Sequence, residues 1–233
     1  MVEKFIFPSR GFYIVAQKFG EADFFLEKMR ETQFHFDDFS YNLSAFSSAA
    51  RSITFSLQAV MCKYPNFDTW YAAQQSGLKS NELAKYFVNL RNHMQKVGDA
   101  PVRHAGAIRF GKLRSSAHFI DVEGLKGAPD GEVLQLSERY LIEILKVIHL
   151  CFKDYWQYID PSAIFTERGL SLLGWSIEDI EEAFGLPRGW TDVPYNGSDK
   201  NFQRLRLLRR QFGGDDLMGE FFEKYGLPPQ SPS

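Results

Sequence analysis

The sequence is short of the features that most quickly assign a function. It has two cysteines, Cys62 and Cys151, in 233 residues. That is too few for a disulfide framework, and two distant thiols fit a reducing compartment. No stretch of about 18 apolar residues occurs, so a membrane span is not expected. The N-terminal run "MVEKFIFPSRGFYIV" is broken by Pro8, Ser9, Arg10 and Gly11, which is not a secretory pattern. The expectation is a soluble cytoplasmic protein. Net charge is only −2, so any nucleic-acid role must come from a local basic patch. His35, His93, His104, His118 and His149 form no i, i+4 pair, and there is no Cys-x-x-Cys. Metal binding is therefore not expected. A phosphate-cradling glycine loop and a nucleophile elbow are also missing, and no cofactor is expected.

What the chain has in quantity is phenylalanine, 22 in all, which points to a large aromatic core. The clearest element runs from Asp37 to about Lys63. Phe39, Leu43, Phe46, Ala50, Ile53, Leu57 and Val60 recur at steps of three and four, the seam of a packed helix. Between Phe39 and Cys62 the one charge is Arg51, and the positions off the seam are small: Ser44, Ala45, Ser47, Ser48, Ala49, Ser52 and Ser56. Such a helix is expected to be covered on more than one side, by its neighbours or by a second subunit. Tyr64–Pro65 should end it.

"NFDTWYAAQQSG" predicts a short helix capped by Asn66 or Asp68 and stopped by Gly77. Ser80 opens the next, with Leu83, Phe87, Leu90, Met94 and Val97 on one face and Gly98 as terminator. Phe5–Phe7 and Phe12–Val15 read as short strands around a turn, with helix beginning near Glu21. Pro101–Gly131 has short apolar runs and glycines, which predicts a β-hairpin or long loop. Helical spacing returns over Val133–Ile159 and closes at Asp160–Pro161. The remainder reads as three short helices from "SIEDIEEAFG", "DKNFQRLRLLRRQFG" and "DLMGEFFEKYG", then a mobile tail. The predicted architecture is mainly α: an antiparallel up-and-down helical bundle with a small β element and a C-terminal helical appendage. Its boundaries are 1–160 with an inserted hairpin or loop near 101–131, 161–226, and the tail 227–233.

Arg91, Asn92 and His93 stand consecutively in "LRNHMQK". With the long helix "YNLSAFSSAARS" before them and another long helix after, the region Asp37–Ile159 resembles the HEPN superfamily. That resemblance implies a dimeric bundle and a metal-independent ribonuclease or RNA-binding protein of a toxin or defence type. The family signature is Arg, a polar residue, then His after four to six intervening positions. Arg91 and Asn92 match it, but Lys96, Val97 and Gly98 stand where the histidine should, and His93 is only two residues on. At about 100° per residue, Arg91 and His93 fall on opposite edges of the Leu83–Phe87–Leu90–Met94 stripe. A symmetric dimer could bring two copies together.

RNA transesterification needs a base, an acid and positive charge for the phosphorane. Arg91 could give the charge and bidentate phosphate contacts, Asn92 could orient the phosphate, and His93 or Lys96 would move protons. The competing reading makes all of them bundle or dimer hydrogen bonds. Arg51, a lone guanidinium in a charge-poor helix, must be ion-paired or face a polar groove. Arg206, Arg209 and Arg210 in "RLRLLRR" share one side of a helix and could track a nucleic-acid backbone. The acidic "EDIEE" upstream offers internal pairing instead. Two functions remain: the RNA-binding protein or ribonuclease, and a non-catalytic dimeric helical-bundle module for protein interaction.

Overall fold

In the computed structural model, residues 9–109, 112–159, 164–194, 199–212 and 218–228 are described. Among them are nine helices and a two-stranded antiparallel sheet, so the protein is mainly helical. The chain divides into two compact units. One is Ile14–Ile148; the other joins Met1–Tyr13 to His149–Ser233.

α1 spans Ser9–Glu31, which corrects the strand predicted at Phe12–Val15. Phe12, Val15, Phe19, Ala22, Leu26 and Met29 are buried at helical steps. The helical stripe thus starts nine residues before Glu21, and a four-residue aromatic run carries no period of its own. Phe5–Phe7 lies outside the described residues. α2 spans Phe36–Met61 and buries Phe39, Leu43, Phe46, Ala50, Ile53 and Leu57 as predicted. At its end Met61 is buried and Val60 only half-buried.

α3 runs over Phe67–Ser80, straight through Gly77. Open space surrounds Gly77, and a helical glycine costs only about 1 kcal/mol against alanine. Asn66 holds the cap position in the left-handed region at φ 61° but its side chain makes no capping bond. α4 spans Glu82–Val97, two residues after the expected start at Ser80, because the Asn81 side chain accepts from Ala84 N at 3.1 Å. Gly98, at φ 88°, closes it as predicted. Phe87, Leu90 and Met94 are buried with Tyr86, whereas Leu83 is half-buried and Val97 is exposed.

The segment after Gly98 is a hairpin: β1 (Val102–Arg109) pairs with β2 (Lys112–Phe119) from Val102↔Phe119 to Arg109↔Lys112. α5 covers Val133–Ile159, as predicted, with a non-helical residue at Tyr155. Aromatic rings join these elements within the unit 14–148. Phe87 stacks on Tyr140 at 4.5 Å, meets Phe46 edge-on at 6.1 Å, and Tyr86 meets Phe119 at 5.0 Å.

The C-terminal part holds four helices where three were expected: α6 (Glu167–Leu173), α7 (Ile177–Ala183), α8 (Lys200–Phe212) and α9 (Gly219–Lys224). α6 is short, but it has a Thr166 cap and ends at Gly174 in the left-handed region. Ile164, Phe165, Leu170, Ile177, Ile180, Leu205 and Leu208 form one buried cluster here. A second set of rings gathers Phe12, Phe152 and Phe222, with Phe12–Phe152 at 4.8 Å and Phe152–Phe222 at 5.6 Å.

Candidate functional site

The three polar residues of α4 fan out around the helix. Arg91 is half-buried; its Nη1 donates to Asn92 Oδ1 at 3.2 Å, and its Nε is buried without a hydrogen-bond partner. Asn92 is exposed. His93 is half-buried on the face it shares with Tyr86, two turns earlier. That face meets the turn following β2: the His93 ring lies against Gly124, and the Asp121 charge bears on Tyr86. Burial, with Asp121 beside it, pushes the Tyr86 hydroxyl far above its ordinary pKa. Gly124 has φ 81°, and an added Cβ would stand 3.7 Å from His93 Nδ1. Lys96 is exposed. Within one chain these side chains sit on three different sides of α4. A small hollow is lined by Gln33, Phe39, Ser115, Ser116, Ala117, Glu132 and Leu134. It includes none of the α4 residues.

Arg51 is half-buried on α2. Its guanidinium lies 4.4 Å from the centroid of the Phe55 ring and donates to Thr54 Oγ1 at 3.2 Å. Its charge acts on the hydroxyls of Tyr71 and Tyr140. Among the described residues no carboxylate forms an ion pair with it. A cation over an aromatic face is stabilised without one, so the ion-pair expectation for Arg51 is corrected to an aromatic setting.

The acidic run before α8 is fully engaged, and not by the arginines that the sequence singled out. Arg204, buried, pairs with Glu178 at 2.7 Å and with Glu181 at 3.2 Å. Glu181 is completely buried and also accepts from Gly189 N, Thr191 N and Thr191 Oγ1. Burial alone would raise the Glu181 pKa, but the bonds from Thr191, Arg204 and Gly189 outweigh it and hold the carboxyl below its usual range. Asp179 and Glu182 take Arg188, at 2.8 and 2.9 Å. Asp179 is held down to about 2 by the backbone N–H of Ser176 and by Arg188. Arg206, Arg209 and Arg210 are exposed and form no ion pair among the described residues. Asp215 and Asp216 lie outside those residues.

Three features escaped the sequence reading. The Glu181–Arg204–Thr191 network was visible only as a charge contrast. His104 sits edge-on between Phe36 at 5.0 Å and Phe39 at 5.1 Å, with Nε2 buried and unpartnered. Burial lowers its pKa. The outer face of α2 carries Tyr41, 70% exposed, and Phe55, 56% exposed. Its serines bond to their own helix: Ser52 Oγ donates to Ser48 O, and Ser56 Oγ to Ser52 O. Among the described residues no group of three or more His, Cys, Asp or Glu is placed to hold a metal, and no helix is long and apolar enough to cross a membrane.

The family model for bacteriophage lambda protein ea47 matches residues 13–110, a little under half of the chain. The matched stretch includes Arg51, Arg91, Asn92, His93 and Lys96, so the motif that suggested the HEPN superfamily falls within a region similar to a different family. The HEPN resemblance is thereby corrected: a polar triplet on a bundle helix is too short a pattern to distinguish one helical family from another. No curated protein and no solved structure matches the chain.

Proposed function

We propose that this protein is a non-catalytic helical-bundle interaction module whose partner is a second copy of itself, docked through the outer face of α2. The observation that carries the proposal is the character of that face. Tyr41, Ser48, Ser52, Phe55 and Ala59 fall within about 60° of one another around the helix, and none is charged. Two exposed aromatic rings stand roughly 21 Å apart along it, at 1.5 Å per residue, with only small side chains between. The Ser52 hydroxyl, bonded to the Ser48 carbonyl of its own helix, asks nothing of a partner. Small residues let two helices approach to about 8–10 Å, and the rings are suited to anchoring the ends of such a contact. The ribonuclease alternative has weaker support, because Arg91 and His93 point to different sides of α4 and the His93 ring is packed on Gly124.

Sedimentation at tens of micromolar, roughly the working range for standard interfaces, tests this. A dimer is expected for the parent chain. Ser48→Lys with Ser52→Lys should give a monomer with unchanged helicity, since both positions lie on the outer face. A parent that stays monomeric, or a doubly substituted chain that stays dimeric, refutes the proposal. Cleavage of RNA in EDTA that is lost with Arg91→Ala would favour the catalytic alternative.

A further inference from the structure

The exposed side of α8 is chemically unlike the rest of the chain. The helix "KNFQRLRLLRRQF" holds five cations and no carboxylate, while the whole protein has net charge −2. Its inward arc is made of Arg204, Leu205 and Leu208, which are buried. Its outward arc, read at about 100° per residue, places Phe202, Arg206 and Arg209 within about 60° of each other, with Arg210 beside them. All four are exposed, Phe202 by 57%.

Internal neutralisation is the first explanation to test for such a patch. Among the described residues, the acids of the preceding segment are already used: Glu178 and Glu181 by Arg204, Asp179 and Glu182 by Arg188, and Asp192 by Lys200. The buried Arg204 also fixes the rotation of α8 about its axis, because its Nε bonds Thr191 Oγ1 at 2.9 Å. Phe202, Arg206, Arg209 and Arg210 are thereby held outward. From these observations we propose that the outward arc of α8 binds single-stranded nucleic acid.

Guanidinium forks suit phosphate oxygens. Arg206 and Arg209, about 4.5 Å apart along the axis, supply a short row of such forks. Phe202, one turn before Arg206 on the same arc, supplies a ring on which an unpaired base can stack. An acidic protein segment would satisfy the arginines but would leave a solvent-facing phenylalanine without a use, so the nucleic-acid occupant is favoured. The site is independent of α2 and of dimer formation.

Fluorescence anisotropy of the full-length protein tests it, using labelled oligouridylate and oligothymidylate of about 16 nucleotides, the upper site size of one single-strand-binding module. Binding is expected at low salt, with log K falling against log salt at a slope of about −2 for three phosphate contacts. The triple change Arg206→Gln, Arg209→Gln, Arg210→Gln should weaken binding at least tenfold while the melting curve is unchanged. Phe202→Ala should weaken single-strand binding and leave binding of a duplex of equal length as it was. Absence of binding by the parent chain, or full binding by the triple variant, overturns the proposal. Preference for polyglutamate over both oligonucleotides also overturns it and assigns the patch to an acidic protein. A silent Phe202→Ala overturns the stacking contact, and with it the single-strand preference.

Discussion

Substituting Glu181 by alanine removes one carboxylate and strands four donors: Gly189 N, Thr191 N, Thr191 Oγ1 and the Arg204 guanidinium. Glu178 keeps hold of Arg204 Nη1, so the charge is not wholly orphaned, but it loses the partner on its buried side. Breaking a buried pair costs about 3–5 kcal/mol, against roughly 5–15 kcal/mol for the whole stability of a domain. For a unit of fewer than 100 residues each kcal/mol is worth about 4–8 °C, so the unit containing α6–α9 should melt at least about 12 °C earlier. Trp156, Trp175 and Trp190 belong to that unit and Trp70 to the other, so tryptophan fluorescence should report mainly its unfolding. The double change Glu181→Leu, Arg204→Met should recover only the share owed to Arg204, because Gly189 N, Thr191 N and Thr191 Oγ1 still lack the carboxylate. The pH dependence has a definite sign. The folded Glu181 pKa is depressed, so its contribution is complete above the unfolded carboxylate range near about 4.3 and is lost as pH falls through the folded value. A cost under about 1 kcal/mol, the size of a surface pair, would refute the reasoning. So would a double variant as unstable as the sum of its singles.

His104 should make the unit 14–148 sensitive to mild acid. Its folded pKa is lowered by burial, so the unfolded chain takes up the proton first, and stability declines as pH falls below about 6.5. His104→Phe should melt later than the parent, with the advantage widening between about pH 8 and about pH 5; a constant gap across thermal melts would contradict this. Arg51→Met should cost less than about 1 kcal/mol, the scale of an exposed cation–π contact, since no ion-paired carboxylate is left behind among the described residues. Urea unfolding that shows a loss of about 3 kcal/mol or more would reveal a charged partner.

α2 and α5 were legible almost to the residue, because each carries a long apolar period and ends near a proline. The start of α1 was not. Phe12 and Val15 belong to its stripe, but glycine and proline beside them imitate a turn between strands. Gly77 misled in the opposite direction, since nothing crowds it and the helix absorbs its modest cost. At the candidate sites the sequence offered internal pairing of the acids with arginines of α8 as one reading, but not which arginine would take part. Arg204 and Arg206 are two residues apart, and only the buried partners Leu205 and Leu208 decide which one faces inward. For Arg51 the sequence offered an ion pair or a polar groove. That the partner is a phenyl ring one turn along its own helix was present in the spacing, though it is a weaker signal than a carboxylate. The packing of His93 against Gly124 could not be read at all, since it depends on how the loop after the hairpin turns back on α4.

The ring cluster of Phe12, Phe152 and Phe222 also sets a timetable. Phe12 is made early and waits for a partner 140 residues later, and Phe152 waits another 70 for Phe222. At roughly 5–20 residues per second of synthesis, about 4–14 s separate the appearance of Phe152 from that of Phe222. The segment 14–148 is complete well before then and can fold while the rest is still being made. During that interval the Phe152 ring lacks its Phe222 neighbour, so this part of the apolar cluster waits uncovered.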